Sequence, residues 1–225
     1  MPRIEQTARL FVSGREDLQT CLGLGSAYGD EFLPIIKRIK QLTILDPSDA
    51  FQINDLKGVP VTYDKPHPSG DLPFAEASVD LITCFGVLHH IPNVTHVIRE
   101  MGRCLAPGGI ALIREPSVSM GDWTQPRAGL TRRERGIPTT IMRSAISDAR
   151  LEVVRQTPYG FAPATRAWYL ISRSSFYNYG MAVALDVLLS RLTSWNHRYH
   201  RKTILNRFSP SSVFWVLTKN AGNMR

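Results

Sequence analysis

The segment 72–116, LPFAEASVDLITCFGVLHHIPNVTHVIREMGRCLAPGGIALIREP, decides the fold. Its apolar runs predict buried strands over Val79–Phe85 and Ile110–Glu115. Between the strands, apolar residues recur at helical spacing and predict a helix over Val94–Leu105, which a Pro-Gly-Gly sequence ends. Strand, helix and strand form a βαβ unit, so the two strands are parallel. Because ligands bind beyond the carboxyl ends of parallel strands, we expect chemistry at the loop Gly86–Pro92.

Four short motifs in this segment resemble those of class I S-adenosylmethionine-dependent methyltransferases that act on small molecules (type 11-like). The motifs are Leu72-Pro73-Phe74, Val79-Asp80-Leu81-Ile82, Leu88-His89-His90-Ile91 and Leu105-Ala106-Pro107-Gly108-Gly109. The resemblance implies an α/β, Rossmann-like fold: a seven-stranded, mostly parallel sheet with an antiparallel last strand and helices on both faces. It also implies methyl transfer, with S-adenosyl-L-methionine as the cofactor.

The rest of the chain completes one domain, residues 1–225. Further strands are predicted over Gln19–Leu24, Leu42–Leu45, Val59–Tyr63, Leu151–Gln156 and Ser212–Lys219, with helices over Ala50–Leu56 and Thr139–Ala149. In this fold the last strand inserts antiparallel between the fifth and the sixth. We divide the domain into an N-terminal arm (1–18), a cofactor-binding core (19–156), a helical insertion (157–210) and a final strand with its tail (211–225).

A turn of small residues follows the first predicted strand. Small residues let the backbone turn and approach a ligand closely. Aligned on the family pattern acidic-x-Gly-x-Gly-x-Gly, Gly29 is the last glycine, Ala27 replaces the second and Gly23 replaces the acidic residue. Asp30 or Glu31 is a candidate to supply the missing carboxylate. The resemblance makes this turn part of the cofactor site, through Gly23, Gly25, Ser26, Ala27 and Gly29.

Further cofactor contacts are expected along the chain. Asp46 ends the second strand, where a carboxylate accepts hydrogen bonds from the two hydroxyls of a ribose, although it could merely cap the next turn. In the family an acidic residue after the third strand binds the adenine amine; Asp64 and Asp71 compete for this role, and we favour Asp71. Leu72 and Phe85 complete the predicted cofactor contacts. A nicotinamide cofactor is disfavoured, since the third glycine of the dinucleotide fingerprint is missing.

His89 and His90 are the candidate catalytic residues. A histidine of near-neutral pKa can take the proton of an acceptor hydroxyl. Methyl transfer from a sulfonium needs no base in principle, so the alternative is that both histidines only shape the pocket. We expect no metal site. The three cysteines lack the spacing of metal ligands or disulfides and are expected to be reduced core residues.

The loop after the fifth strand carries an aromatic residue and several arginines. These side chains suit sugars or phosphates, although a plain solvated connection is the alternative. The wording REPSVSMGDW at 114–123 and ERGIP at 134–138 resembles methyltransferases of bacterial surface polysaccharide synthesis.

The excess positive charge lies at the C-terminal end. Residues 1–165 are neutral, whereas residues 166–225 hold nine basic residues and only Asp186 as an acid. A helix predicted over Met181–Trp195 places large apolar residues on one face and Asp186, Ser190 and Arg191 on another. An anionic or lipid-linked substrate, a membrane surface, a cap over the active site and a homodimer interface all remain open for this insertion.

We therefore predict an enzyme that methylates a small-molecule acceptor, most plausibly a sugar hydroxyl in polysaccharide or glycolipid synthesis. With neither a signal sequence nor a transmembrane segment, we expect it in the cytoplasm, with the inner membrane face as a candidate contact. Two alternatives remain: an RNA methyltransferase or basic nucleic-acid-binding protein, and a non-catalytic relative. Nucleic acid is the weaker, since no binding module surrounds the basic segment.

Overall fold

The computed structural model describes residues 17–122, 125–127, 130 and 134–220. Eight strands form its sheet: β1 Leu18–Leu24, β2 Ile39–Leu45, β3 Asp55–Leu56, β4 Val59–Asp64, β5 Val79–Phe85, β6 Leu105–Pro116, β7 Glu152–Tyr159 and β8 Ser212–Thr218. Four α-helices accompany them: α1 Val94–Cys104, α2 Thr139–Asp148, α3 Ala162–Ile171 and α4 Gly180–Leu192. The predicted N-terminal arm lies almost wholly outside the described residues.

The sheet has the order β3-β4-β2-β1-β5-β6-β8-β7. β1, β2, β4, β5 and β6 are parallel, and β8 lies antiparallel between β6 and β7. The predicted Rossmann-like class and the position of the last strand are therefore confirmed. Since β1 lies at the centre with β2 and β5 beside it, the loops after these strands meet at one edge of the sheet.

The structure adds one strand to the seven that were predicted. The helix expected over Ala50–Leu56 was wrong: Asp49–Phe51 forms a single 3-10 turn, and Asp55–Leu56 pairs antiparallel with β4. The two residues of the hairpin loop, Lys57 and Gly58, both have positive φ, at 54° and 88°. A two-residue loop of this kind matches the twist of the flanking strands and favours a hairpin over a helix.

The core lies on both faces of the sheet. One apolar cluster packs α1 and α2 against β5, β6 and β8, and a second lies on the opposite face beside the 3-10 helix Asp30–Arg38. All three cysteines are buried and free, as predicted: Cys21, Cys84 and Cys104. Burial raises the pKa of the Cys104 thiol to about 11, so it stays protonated.

The insertion differs from its prediction in how its main helix packs. α4 ends at Leu192, and Trp195 lies in a separate 3-10 turn. The small and polar side of α4 faces inward: Asp186 and Ser190 are fully buried, while the apolar side is exposed. Both carboxylate oxygens of Asp186 accept backbone N–H groups, from Gly160 at 2.8 Å and Phe161 at 2.7 Å. Asp186 thus anchors α4, and the large apolar side chains of this helix are exposed at the surface.

Candidate active site

The glycine-rich turn adopts the conformation that its small residues predict. Gly25, Ala27 and Gly29 have positive φ angles of 60°, 47° and 72°. This region is uncommon for a residue with a side chain, so Ala27 is held there against a local cost. A Cβ on Gly25 would lie 2.4 Å from Cγ2 of Val87, so the chain after β5 packs directly on the turn.

Asp46 at the end of β2 holds this turn in place. Its Oδ2 accepts the N–H of Ala27 at 3.2 Å, and its Oδ1 accepts the N–H of Ser48 at 2.9 Å. The following 3-10 turn, Asp49–Phe51, is capped by the side chain of Ser48 and not by Asp46. Because a carboxylate has about four acceptor positions, two remain for the hydroxyls of a ligand. Asp46 is buried, which fixes the direction of those positions.

Glu31 supplies a carboxylate where the family pattern has its acidic residue. Gly23 is paired with Thr83 across β1 and β5, and the Thr83 hydroxyl donates to Oε1 of Glu31 at 3.2 Å. A side chain at Gly23 itself would collide with Ser26 at 2.4 Å. Burial raises the pKa of Glu31, opposed by the hydrogen bond from Thr83. Of the two candidates that the sequence offered, Glu31 is the one beside the strand ends.

The two candidates for the adenine contact have different neighbours. Asp64 ends β4, and its carbonyl oxygen accepts the N–H of Asp46 at 3.0 Å. Asp71 is exposed and is bound to Ser69 and to Nε2 of His96 at 2.7 Å. The hydrogen bond from Ser69, followed by that to His96, lowers the pKa of Asp71. The role of Asp71 stays a prediction, and its present contacts are to α1 and its own loop.

The other predicted cofactor residues differ in their surroundings. Leu72 is buried in the core, and its N–H donates to Glu100 at 3.1 Å. Phe85 ends β5, with the guanidinium of Arg114 5.5 Å from its ring centre. Ser26 is buried within the glycine-rich turn.

His89 is oriented by a buried carboxylate that the sequence analysis did not assign to the site. Oε2 of Glu115 lies 2.7 Å from Nδ1 of His89. Oε1 of Glu115 accepts the N–H groups of Val87 and Leu88, both at 2.8 Å. A carboxylate can only accept here, so Nδ1 donates and Nε2 of the neutral ring carries the lone pair. Glu115 therefore fixes the orientation of the His89 ring, and Nε2 is the atom that can accept a proton.

A second carboxylate, also unassigned from the sequence, faces the two histidines. Oε1 of Glu134 is 3.6 Å from Nε2 of His89, and its Oε2 is 3.9 Å from Nδ1 of His90. His89 and Glu134 are mostly buried, whereas His90 is exposed. These three side chains place their ligand atoms within 4.8 Å of one another, close enough to share a proton or a cation.

The sequence held a signal for Glu115 but less for Glu134. β5 and β6 pair at Phe85 and Arg114, so Glu115 lies opposite the first residue after β5, beside the loop that holds His89. An acid that ends a buried parallel strand is a site candidate on that ground alone. Glu134 comes from a loop whose path no pattern in the sequence predicts. Of that loop, Trp123, Arg132 and Arg133 lie outside the described residues.

The insertion reaches this edge of the sheet. Ser117, just after β6, lies 3.1 Å from Nε2 of His197, and the N–H of Ser119 donates to the carbonyl of Tyr199 at 2.9 Å. The Tyr199 hydroxyl donates to the carbonyl of Gly136 at 2.8 Å. The segment 197–199 therefore ties the loop that carries Glu134 to the end of β6.

Comparison with known proteins agrees with this geometry. A family model described as a methyltransferase domain matches residues 4–222. The chain belongs to this methyltransferase family. A methyltransferase of 27-O-demethylrifamycin SV from Amycolatopsis mediterranei is 46% identical over 39 residues, which are 17% of this chain and 14% of that protein.

Solved structures of methyltransferases share the fold at low sequence identity. One, described as a putative S-adenosylmethionine-dependent methyltransferase from Listeria monocytogenes, has a TM-score of 0.63 at 11% identity, covering 98% of this chain and all of that one. A putative sarcosine dimethylglycine methyltransferase from Galdieria sulphuraria has a TM-score of 0.62 at 15% identity, covering 97% and 86%.

The residues of this methyltransferase fit the donor that its family implies. The glycine-rich turn brings backbone close to a ligand, and Asp46 retains acceptor positions for vicinal hydroxyls. Glu31 is the carboxylate that would face the ammonium group of a methionine moiety, and it is held by the hydroxyl of Thr83. The acids thus lie at the strand ends where a nucleoside and an amino acid need them.

Proposed function

We propose that this protein transfers the methyl group of S-adenosyl-L-methionine to a hydroxyl group of a small, sugar-like molecule. The observation that carries the proposal is the His89–Glu115 pair, whose chemistry suits the deprotonation of a hydroxyl. The pair adjoins the turn through Val87, which packs on Gly25 and donates its N–H to Glu115. Val87 thus contacts both the glycine-rich turn, which we assign to the methyl donor, and the His89–Glu115 pair, which we assign to the acceptor.

S-adenosylmethionine, when bound, would supply a methyl group on a sulfonium, with S-adenosylhomocysteine as the leaving group when the acceptor oxygen attacks the methyl carbon in line and the carbon–sulfur bond breaks. Nε2 of His89 accepts the hydroxyl proton as the new carbon–oxygen bond forms. Glu115 stabilises the resulting imidazolium through Nδ1, and the Glu134 carboxylate faces Nε2. Deprotonation strengthens the nucleophile, while the fixed strand ends hold the acceptor in line.

On the donor side we assign roles by chemistry. Asp46 would bind the ribose hydroxyls, and Glu31 the methionine ammonium. An acid after β4 would bind the adenine amine; Asp64 lies beside Asp46, whereas Asp71 is bound to His96.

The acceptor class rests on two supports. The name of the matched rifamycin enzyme refers to an O-demethyl compound, which favours oxygen as the methylated atom. The loop wording at 114–123 and 134–138 favours a role in polysaccharide or glycolipid synthesis. Nucleic acid is not favoured, since the basic side chains of the insertion gather beside the active-site loop rather than along an extended face.

We place the enzyme in the cytoplasm, at the surface of an anionic membrane. Met181, Leu185, Leu188 and Leu192 form an apolar stripe on α4, with Met181 88% and Leu188 54% exposed. Exposed basic residues flank the stripe, and the acid of this segment, Asp186, is buried beneath it. An apolar face with a basic border suits an anionic bilayer. No helix in the described ranges has the length and apolar character to cross a membrane.

A ligand-dependent shift in thermal unfolding tests the donor site. S-adenosylhomocysteine at a hundred times its dissociation constant stabilises a fold by about 2.7 kcal/mol, or a few degrees. We expect the wild type to shift and Asp46→Ala to shift less. Turnover is then measured with labelled S-adenosylmethionine on a panel of nucleotide sugars and lipid-linked sugars. A wild type that ignores saturating S-adenosylhomocysteine would overturn the proposal.

A further inference from the structure

A basic cavity opens beside the active-site loop. Its volume is about 650 Å³, and it is bounded on one side by the backbone segment 118–122, which follows β6. The other side is supplied by the insertion, through His200, Arg201, Lys202 and Arg207. These basic residues follow one another closely in the sequence, and in the structure they line one cavity.

Arg201 is built into the wall of this basic cavity. Its Nη2 donates to the carbonyl oxygens of Ser209 at 2.8 Å and Pro210 at 2.6 Å. Its Nε is buried and, in the described part of the chain, has no hydrogen-bond acceptor. An unsatisfied buried donor of this kind is costly. Burial and the nearby charge of Arg207 lower the pKa of Arg201.

The remaining cations of the cavity are not neutralised by the protein around them. Lys202 and Arg207 are exposed and form no ion pair with the residues that the structure describes. Among the residues that line the cavity, Asp122 is acidic, whereas Arg201, Lys202 and Arg207 are positively charged. Several like charges in one concave space repel one another, so an anion that entered would gain from all of them.

The cavity is close enough to His89 to hold the far end of an acceptor. Val118 at the cavity wall is three positions after Glu115, which orients His89. Consecutive Cα atoms are 3.8 Å apart, so these two Cα atoms lie within about 11 Å. A sugar with a phosphate group spans a distance of this order.

We propose that the basic cavity binds the phosphate or diphosphate group of the methyl acceptor, which makes the acceptor a phosphorylated or diphosphate-linked sugar. The inference rests on the proposed function and defines its substrate class. Arginine side chains bind phosphate oxygens in pairs, and Lys202 adds a point charge beside them. A soluble nucleotide sugar and a lipid-linked sugar share this group.

Isothermal titration with inorganic diphosphate tests the cavity directly, with S-adenosylhomocysteine present. The test variant is Lys202→Gln with Arg207→Gln, which changes two exposed residues whose side chains form no hydrogen bond within the described ranges. Arg191→Gln removes an exposed charge from α4 and serves as the control. We expect the double variant to bind diphosphate at least about tenfold more weakly, and the control within about twofold of wild type.

Binding of farnesyl diphosphate and of uridine diphosphate distinguishes a lipid-linked acceptor from a nucleotide sugar. Tighter binding of the first supports a lipid-linked acceptor, and tighter binding of the second a nucleotide sugar. An absence of diphosphate binding, or an equal loss in the Arg191→Gln control, overturns the inference. If S-adenosylhomocysteine still shifts the unfolding temperature in that case, the proposed methyl transfer stands and only the acceptor class is wrong.

Discussion

Oε2 of Glu115 lies 2.7 Å from Nδ1 of His89, although Glu115 belongs to the end of β6 and His89 to the turn after β5. Glu115 is almost fully buried, and its other oxygen is occupied by two backbone N–H groups. The carboxylate therefore has little freedom to leave the histidine. This fixed pair is the basis on which we propose a catalytic role for His89 rather than one of shaping the pocket.

Replacement of His89 by alanine should lower kcat by about 10²–10⁴, because the hydroxyl then loses its proton acceptor. The dissociation constant of S-adenosylhomocysteine should not change. His90→Ala, at the exposed neighbour, is the matched control and should stay within about threefold. Equal losses in both variants would assign the histidines to the shape of the pocket.

Glu31→Gln should weaken S-adenosylhomocysteine about tenfold, since the methionine ammonium loses its carboxylate. Burial raises the pKa of Glu31, so wild-type affinity should increase with pH as the carboxyl ionises. The linkage has the opposite sign for stability. A folded pKa above the unfolded one gives stability at low pH that is lost as pH rises.

Glu31→Gln should therefore melt above the wild type at pH 7 without ligand, and the difference should shrink toward pH 4. Titration calorimetry measures the affinity for S-adenosylhomocysteine, and differential scanning calorimetry measures the unfolding temperature, each at both pH values. Asp30→Asn, at the exposed neighbour, controls for loss of charge. An unchanged affinity would remove Glu31 from the donor site.

The sequence predicted the sheet well because its signals are local. Apolar runs, the Pro-Gly-Gly end of α1 and the order of the four motifs identify the strands near Val79–Phe85 and Ile110–Glu115. The hairpin at Lys57-Gly58 was missed because a short polar stretch after Asp46 has no clear periodicity. The sequence also predicted the two faces of α4, but not that the face with Asp186 packs inward.

Contacts between distant segments were harder to predict. Glu31 reaches Thr83 over 52 residues, and Glu134 reaches His89 from a loop with no regular structure. Such contacts depend on the path of the backbone, which a pattern in one segment does not encode. The same holds for Arg201 and Arg207, whose convergence on one cavity follows from the turns of the insertion.

A pair of asparagine variants decides which acid binds the adenine amine. Asp64 ends β4 and adjoins Asp46, whereas Asp71 is bound to Ser69 and His96. We expect Asp64→Asn to weaken S-adenosylhomocysteine about three- to tenfold, and Asp71→Asn to have less effect. Titration calorimetry on both proteins measures the difference. The reverse order would return the role to Asp71, as the family pattern suggests.

Removal of metal ions should leave turnover unchanged. Dialysis against a chelator takes away no group that the proposed reaction needs, because the sulfonium is already activated and His89 takes the proton. Added Zn²⁺ should inhibit, since His89, His90 and Glu134 have their ligand atoms within 4.8 Å and zinc would occupy Nε2 of His89. His90→Ala should relieve that inhibition. Activity that is lost on dialysis and restored by one divalent ion would replace the base mechanism with a metal site.

The apolar stripe on α4 should bind anionic lipid. Leu188→Glu places a charge on the stripe at a side chain that is 54% exposed, so the unfolding free energy should change by less than about 0.5 kcal/mol. Binding to phosphatidylglycerol vesicles should fall about tenfold, because an inserted leucine contributes about 1.5–3 kcal/mol. Ile141→Glu, at a similarly exposed residue of α2, should bind like the wild type. Vesicle sedimentation measures lipid binding, and analytical ultracentrifugation measures the oligomeric state. A wild-type protein that binds no lipid but forms a dimer, which Leu188→Glu dissociates, would show that a second copy covers the stripe.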